Sequence, residues 1–407
     1  MFRKSIALLL LLCLLLPFAA LATEDDEEVS VTILDSSGQP VAGDTADPSA
    51  TATPNPEAST AQDAAVPESD AKTPVDRAAP VYEADGSIVL KLTFGGDFTI
   101  GDNVQASGQS IFEKELAKHD GNINFLFQNF KDILEDDDWT VLNFEGTLTT
   151  SGRNPNKLDN AFLFRADPAY AAVLPANGVE CVSLENNHVM DMGADGLAET
   201  KKSLRDAGVS YYCESEPLVF TLKGVKMGML AYLCIDQYDR LYTKVPEDIK
   251  ALKAQGCEVV VVSFHWGYEK DYAPRETQQK MAKIAVDAGA DLIVGHHSHR
   301  MNPIELYNGK YICYSLGNFC FAGNSKPDDM STFVFQIKLR VKDGVCTNDA
   351  FRIIPARISS NGKYNDFIPT PYDKQENIDA VLSTLKKNGK QLSSPVSDYP
   401  LEWPDEE

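Results

Sequence analysis

Five short apolar runs, each followed closely by a side chain able to bind metal or move a proton, constrain the fold of this chain most. The runs are β-branched or apolar on both faces, which is typical of strands buried on both sides of a sheet. They cover residues 88–94, 139–142, 179–184, 259–264 and 292–294. Helical patterns lie between them, so the sequence predicts an α/β fold.

Helices and further strands are predicted around these runs. Amphipathic patterns indicate helices over residues 125–134, 196–207 and 278–288, the last two ending at Gly208 and Gly289. Residues 218–222 and 226–233 form a predicted hairpin around Gly224. Later strands are expected at 311–315, 332–341 and 351–354, and the segment 372–407 carries one amphipathic helix with Ile378, Leu382 and Leu385 on a face.

The polar residues after the five runs are the main functional signal. Because ligands bind beyond the carboxyl ends of strands in open α/β sheets, we expect these loops to converge. Five of the six histidines lie in three of them, and only His119 lies elsewhere. The motifs are Gly95-Gly96-Asp97, Asn143-Phe144-Glu145-Gly146, Asn186-Asn187-His188, His265-Trp266-Gly267 and Gly295-His296-His297-Ser298-His299.

The donor types in these motifs indicate a transition-metal site. Two carboxylates, a carboxamide and several imidazoles suit Zn²⁺, Mn²⁺ or Fe better than Mg²⁺ or Ca²⁺. Two ions bridged by a carboxylate such as Glu145 are able to clamp the attacking and leaving oxygens of a phosphoryl displacement. Each motif taken alone has a plainer interpretation, as a turn cap, a surface carboxylate or a core histidine.

The amino-terminal residues predict export. Arg3 and Lys4 precede an almost wholly apolar stretch, residues 5–22, which ends in the small-x-small pattern Ala20-Leu21-Ala22. This pattern is typical of a secretory signal peptide over residues 1–22, and an uncleaved anchor is the second interpretation. We expect a protein that is secreted or tethered at the outer face of the cytoplasmic membrane or in the cell wall.

Composition narrows the remaining choices. Residues 23–80 hold thirteen acidic and two basic residues and few large apolar ones, which predicts a disordered acidic linker. The net charge of -23 argues against a nucleic-acid partner and leaves bound metal as the source of positive charge for an anionic substrate. Eight cysteines without a CxxC pair indicate buried thiols rather than a disulfide framework.

The order of these motifs resembles the CapA family of bacterial capsule (poly-γ-glutamate) synthesis proteins, a branch of the calcineurin-like metallophosphoesterases. Residues 164–168 and 314–319 are also similar to the family pattern, and the match spans about residues 88–320. The resemblance implies a layered αββα sandwich in one large domain, residues 81–360, followed by a carboxyl-terminal extension, residues 361–407.

The resemblance also implies roles for individual residues. Asp97 and the bridging Glu145 are similar to the family's carboxylate ligands. His188 is similar to the proton donor to a leaving group, and Arg165 is a candidate clamp for an anionic substrate. The remaining ligands implied are Asn187, His265, His296 and His299.

Two departures from the wider superfamily leave the metal stoichiometry open. Its first motif is Asp-x-His, where this chain has Asp97-Phe98-Thr99, and its last is Gly-His-x-His, where this chain has His299 one position later. The number of ions, one or two, and the choice among His296, His297 and His299 therefore stay open.

Three functions follow from the resemblance. The first is a metal-dependent hydrolase of phosphoester or related anionic bonds. The second is a non-catalytic accessory that binds an anionic polymer during capsule assembly and export, together with membrane-bound capsule synthesis components. The third is a γ-glutamyl amide hydrolase. Fold alone does not choose among them, because chemistry depends on the site.

Overall fold

The five apolar runs form strands in two sheets of a computed structural model, which describes residues 79–105, 110–150, 152–154, 157 and 162–404. The strands are β1 (Ile88–Thr99), β2 (Asp102–Asn103), β3 (Trp139–Phe144), β4 (Thr147–Leu148), β5 (Phe164–Ala166), β6 (Cys181–Ser183), β7 (Ser210–Tyr212), β8 (Leu218–Leu222), β9 (Val225–Cys234), β10 (Val259–Trp266), β11 (Leu292–His296), β12 (Ile304–Tyr307), β13 (Lys310–Cys313), β14 (Asn318–Phe321), β15 (Ser331–Lys342), β16 (Val345–Arg357) and β17 (Thr370–Pro371). The helices are α1 (Ile111–Lys118), α2 (Lys131–Leu134), α3 (Gly193–Asp206), α4 (Tyr238–Ala254), α5 (Glu276–Asp287) and α6 (Gln375–Gly389).

Each sheet has a parallel centre. The first runs in the order β17-β16-β15-β1-β3-β6-β7, with β14 also paired to β1, and the second runs β12-β13-β11-β10-β9-β8. Strands β1, β3, β6 and β7 pair in parallel, as do β9, β10, β11 and β13. A small third sheet has the order β2-β5-β4. The strands that carry the polar motifs therefore end at one edge of each large sheet.

The alternation of side chains along each strand explains how the sheets and helices are layered. In β10, Val259 and Val261 belong to the core between the two sheets, whereas Val260 and Val262 pack with α4 and α5 on the other face. The first sheet likewise carries α1 and α3 on its outer face. Successive strand residues point to opposite faces, so a strand covered on both sides is apolar throughout. The predicted αββα sandwich is confirmed.

Two glycines of the polar motifs are required by close backbone approach. A Cβ on Gly96 would lie 2.1 Å from the carbonyl oxygen of Gly317, and one on Gly295 would lie 2.0 Å from that of Tyr314. The pairing of β1 with β3 shifts register between Phe94 and Asp97. This irregularity lets the backbone bring the Asp97 side chain to the edge of the sheet.

The structure differs from the predicted elements in one stretch, and it adds two α-helices and seven short strands. Residues 125–134 fall in a 3-10 helix (Ile123–Phe127) and the single turn α2, because Phe130, with φ -121° and ψ -14°, departs from helical geometry between them. The two added helices are α4, which contains Pro246 in its interior, and α1. Helix α1 begins after Ser110, whose side chain accepts a hydrogen bond from the Glu113 amide. The hairpin of β8 and β9, the other predicted strands and α6 are present.

The domain boundaries stay predictions. The signal peptide and nearly all of the acidic linker lie outside the described residues. Residues after 360 contribute β17 to the first sheet, and Val381 and Leu385 of α6 join the core between the sheets.

None of the helices in the described part of the chain has the length and apolar character needed to cross a membrane. The seven described cysteines are all free and buried, as expected.

Candidate metal centre

Asp97 lies at the centre of the converged loops. It is fully buried, at 0% exposure. Its Oδ1 accepts a hydrogen bond of 2.9 Å from Asn143 Nδ2 and lies 3.3 Å from His296 Nδ1. Its Oδ2 lies 3.1 Å from His299 Nδ1. Side chains from both large sheets thus meet on one carboxylate, as the strand-end pattern predicts.

His265 joins the same group from β10. Its Nδ1 lies 3.3 Å from Asn143 Nδ2, and its Nε2 lies 2.7 Å from Asn187 Oδ1. Asn143 therefore spans Asp97 and His265, which fixes the orientation of the imidazole. Ligand atoms of Asp97, Glu145 and His265 all lie within 4.8 Å of one another, which is close enough to share a metal ion.

Glu145 provides the test of whether a cation fits this group. Its side chain is 0% exposed, and neither carboxylate oxygen has a hydrogen-bond partner among the described residues. Its Oε1 lies 3.7 Å from His188 Nε2, 3.9 Å from His265 Nε2 and 3.8 Å from His299 Nε2. These distances are too long for hydrogen bonds, but two ligands each about 2.1 Å from one cation lie up to about 4.2 Å apart.

Burial of a carboxylate whose two oxygens are unpaired is strongly unfavourable unless a partner binds those oxygens. A divalent metal ion does so with the donors present, which are carboxylate oxygens, amide oxygens and imidazole nitrogens. The residues therefore fit the metal that the sequence predicts. We infer a divalent-metal site here.

The two carboxylates have opposite electrostatic environments. Burial is the main reason that the pKa of Glu145 is raised to about 8; the charge of His299 opposes this rise, and the negative charge of Asp97 adds to it. Burial alone would also raise the pKa of Asp97. The contacts of His296 and His299 outweigh burial there and hold the pKa of Asp97 well below its usual value. Asp97 therefore has two imidazole neighbours, whereas the Glu145 oxygens have no hydrogen-bond partner among the described residues.

The imidazoles also differ in pKa, because their surroundings differ. Burial and the charge of His297 lower the pKa of His265 well below its usual value, and burial beside His299 lowers that of His297 to about 4. Burial opposes protonation of His299 as well, but the charge of Glu145 and the hydrogen bond of Asp97 raise its pKa to about 10. His265 and His297 are therefore neutral at pH 7, which is the form that binds metal.

His188 lies beside the centre and is held by a carboxylate that the sequence analysis did not single out. Its Nδ1 lies 2.8 Å from Asp191 Oδ2, and Asp191 is fully buried. The same oxygen accepts a 2.6 Å hydrogen bond from the Phe164 amide, and Lys157 pairs with the other oxygen. This arrangement directs His188 Nε2 toward Glu145, at 3.7 Å.

The backbone of the histidine loop is in the left-handed region at two positions. His297 has a φ of 91° and His299 a φ of 53°. Residues other than glycine adopt this conformation at an energetic cost, and such residues cluster at functional sites. His299 is further fixed by Asn318 Oδ1, 2.8 Å from its Nδ1. His297 Nδ1 is buried without a hydrogen-bond partner in the described chain.

Aromatic rings form a wall of the site. The Phe164 ring lies 4.6 Å from that of His188 and packs against Phe321, whose ring lies 5.1 Å from that of His299. Arg165 follows Phe164 in β5, and neighbouring strand residues point to opposite faces. Its role as a clamp stays a prediction, since the contacts recorded for the described residues do not bring its guanidinium to the centre.

Most of the predicted site residues are therefore brought together by the structure. Asp97, Glu145, Asn187, His188, His265, His296 and His299 lie within one network, and their individual roles stay predictions. Three residues that complete it were missed, namely Asn143, Asp191 and Asn318. Asn143 and Asn318 stand inside quoted motifs, and Asp191 follows His188 by three residues, so their positions were visible in the sequence although their contacts were not.

The chain is similar to known proteins of bacterial capsule synthesis. Residues 91–323 match the family described as "Bacterial capsule synthesis protein PGA_cap". The chain is 29% identical over 270 residues to the "PGA biosynthesis protein CapA" of Bacillus subtilis, covering 61% of this chain and 68% of that protein. It is 29% identical over 266 residues to the "Capsule biosynthesis protein CapA" of Bacillus anthracis, covering 60% of this chain and 62% of that protein.

A solved structure is also similar in part. The calcineurin-like phosphoesterase YfkN from Bacillus subtilis aligns over 75% of this chain and 100% of the solved chain, with a TM-score of 0.42 and 16% sequence identity.

Proposed function

The chain belongs to the PGA_cap family of bacterial capsule synthesis proteins, and from that premise we propose that it is a metal-dependent hydrolase serving capsule or poly-γ-glutamate synthesis. The bond cleaved is a phosphoester or a related anionic bond. The observation that carries the proposal is the buried Glu145 carboxylate, whose two oxygens have no hydrogen-bond partner in the described chain. It lies among imidazoles and opposite Asp97, where a cation completes it.

The residues that would hold metal are Asp97, Glu145, Asn187, His265, His296 and His299. A bound Mn, Zn or Fe ion would supply positive charge to an anionic substrate and acidify water near neutral pH. Asp97 and Asn143 keep His265 in place, and Asn318 keeps His299 in place. The protein thereby fixes the donors before metal or substrate arrives.

His188 is the proposed general acid. Asp191 accepts a hydrogen bond from Nδ1–H of His188, which leaves Nε2 to face the site. In the imidazolium form the negative charge of Asp191 stabilises the ring. When Nε2 gives its proton to the leaving oxygen, the neutral ring keeps its Nδ1–H bond to Asp191 and does not turn. The Phe164 ring packs against both His188 and Phe321.

A paired measurement tests the proposal. We expect the purified protein to contain a divalent transition metal by elemental analysis and to cleave a phosphoester substrate. His188→Ala should retain the metal but lose most of the cleavage, by about 10²-fold or more. His119→Ala is the matched control, because His119 stacks on Phe125 away from the metal centre and its removal should change neither quantity.

The alternatives predict different results. Metal-independent inactivity on every substrate, with retained binding of an anionic polymer, would contradict the hydrolase and favour the accessory role. Cleavage of a γ-glutamyl amide in preference to a phosphoester would instead assign the same centre to amide hydrolysis.

We also propose that the protein acts outside the cytoplasm, on the basis of the signal-peptide pattern in residues 1–22. Cell fractionation with mass spectrometry of the amino terminus tests this. An exported chain beginning at Thr23 is expected, and a cytoplasmic chain beginning at residue 1 would refute the proposal.

A further inference from the structure

Arg300 directly follows the histidine loop and is buried without a full set of partners. It is 7% exposed, and its Nε has no hydrogen-bond partner in the described part of the chain. Its Nη1 donates to the carbonyl oxygen of His299 at 2.9 Å. Its guanidinium lies 5.7 Å from the centre of the Tyr272 ring. A buried guanidinium with an unpaired donor is costly, so the site lacks an acceptor.

An aspartate of a neighbouring loop approaches the open edge of Arg300. The 322–330 loop follows β14, which ends at Phe321 in the wall of the metal centre. Asp328 Oδ2 in this loop lies 4.0 Å from Arg300 Nη2 and 3.2 Å from Lys270 Nζ. Asp329 Oδ2 accepts a 2.7 Å hydrogen bond from the Tyr272 hydroxyl. Two cations thus face one carboxylate of the protein's own loop.

Lys270 is positioned by its backbone rather than by its side chain. Its φ is 68°, in the left-handed region, and its amide donates to the Ser298 carbonyl at 2.7 Å. The loop after β10 is thereby tied to the histidine loop. Asn302 adds a second tie, donating to the Asp271 carbonyl at 2.8 Å. The backbone at Lys270 is therefore tied to the segment that carries His299 and Arg300.

The contacts of Asp328 are weak enough to be replaced. The side chains of Asp328 and Lys270 are 73% and 69% exposed, and exposed ion pairs contribute little to stability. Nε and Nη2 form one edge of a guanidinium, and this edge binds a carboxylate through two parallel hydrogen bonds. At 4.0 Å from Nη2, Asp328 does not make that bidentate contact.

The geometry points to a carboxylate-binding subsite formed by Arg300 and Lys270 beside the metal centre, whose mouth Asp328 of the 322–330 loop covers until a substrate carboxylate replaces it. The assignment of the ligand as part of a substrate rests on the proposed function, since the bond to be cleaved would then lie at the adjacent metal centre.

Binding of a γ-linked glutamate oligomer to the full-length protein, measured by titration calorimetry, tests the subsite. The double variant Asp328→Asn, Asp329→Asn removes the covering carboxylates, so its affinity should rise between about twofold and tenfold. Lys270→Gln should lower the affinity about threefold. Arg300→Lys keeps the charge but loses the planar fork, and should lower it as well.

Matched controls come from α3, where Lys202 and Asp206 form an exposed pair with side-chain exposures of 69% and 63%. Asp206→Asn should leave the affinity unchanged. An equal gain in affinity in Asp206→Asn would show that net charge alone causes the effect, and it would overturn the subsite. So would an unchanged affinity in both the Asp328 double variant and Lys270→Gln, a substitution of an exposed side chain that leaves the fold intact.

Two further measurements separate this idea from the hydrolase. Inorganic phosphate titrated against the same variants should show no such gain, and an equal gain would overturn the assignment to carboxylate. The titrations are run on the protein as purified and after chelation. If the gain is absent while metal-dependent cleavage persists, only the subsite is refuted, whereas a gain without cleavage refutes only the hydrolase.

Discussion

Replacing Glu145 by glutamine should make the metal-free protein more stable at alkaline pH. The pKa of this buried carboxyl is raised from 4.5 to about 8. The folded protein keeps the proton after the unfolded chain has released it, so the stability contributed by that proton is complete below about pH 4.5 and is lost as the pH rises toward 8. At about 1.4 kcal/mol per pKa unit, the loss between pH 5 and pH 8 is about 3 to 4 kcal/mol.

Glu145→Gln carries no titrating group at this position and should not lose that stability. The assay is urea unfolding in chelator at pH 5, 6, 7 and 8, followed by tryptophan fluorescence. The difference in unfolding free energy between variant and wild type should grow with pH. Adding Mn²⁺ or Zn²⁺ at pH 8 and at 1,000 times its Kd should remove or reverse this difference, because metal that binds the native state of wild type stabilises it by about 4.1 kcal/mol at that concentration.

Glu305→Gln is the matched control, because Glu305 is also 0% exposed but is fully paired. Burial opposes its ionisation, yet hydrogen bonds from Tyr314 and Ser393 and the charge of Lys283 lower its pKa. Its contribution to stability is present above pH 4.5 and is lost on acidification, so its replacement should destabilise the protein at pH 8. Parallel pH curves for wild type and Glu145→Gln would refute the reasoning about the metal centre.

Three other substitutions give sharp outcomes. His299→Ala should lower both metal content and thermal stability, and unchanged metal stoichiometry would remove His299 from the ligand set. Asp191→Asn should lower kcat by about tenfold or more while metal content stays constant, because His188 loses the group that fixes its ring, and an unchanged pH profile of kcat would contradict that role. Gly96→Ala should cost about 3 kcal/mol in urea unfolding, since its Cβ would lie 2.1 Å from the Gly317 oxygen, and a loss below about 1 kcal/mol would show that the backbone relaxes freely there.

Local patterns were sufficient to predict the α/β class and the buried strands. Val259 to Val262 are all apolar because both faces of β10 are covered, and this is readable from four letters of sequence. Short apolar runs alternating with helices likewise predicted an α/β fold, whereas the layered sandwich was implied by the family resemblance. The pattern failed where local and tertiary preferences diverge. Pro246 argues against a helix, yet α4 runs through it, because four of its side chains are buried against the second sheet.

The convergence of the site was also predicted from sequence, because parallel strands of a sheet end at one edge. Asp97, Glu145 and His265 were expected to meet, and their ligand atoms lie within 4.8 Å. The role of Asp191 was not predicted, since its value lies in a 2.8 Å contact with His188 that depends on the turn after β6. Arg300 was likewise indistinguishable from a solvated arginine.

The sequence by itself determined which residue types reach the edge of the sheets, because strand periodicity and the polar residues after each strand are local properties. Only the tertiary structure decided which of those side chains contact one another. The two oxygens of Glu145 lack hydrogen-bond partners in the described chain, and Asp97 holds two imidazoles. These contacts join residues that are far apart in the chain. The contacts and the burial of each group together set its charge, and neither can be seen in a local stretch of sequence.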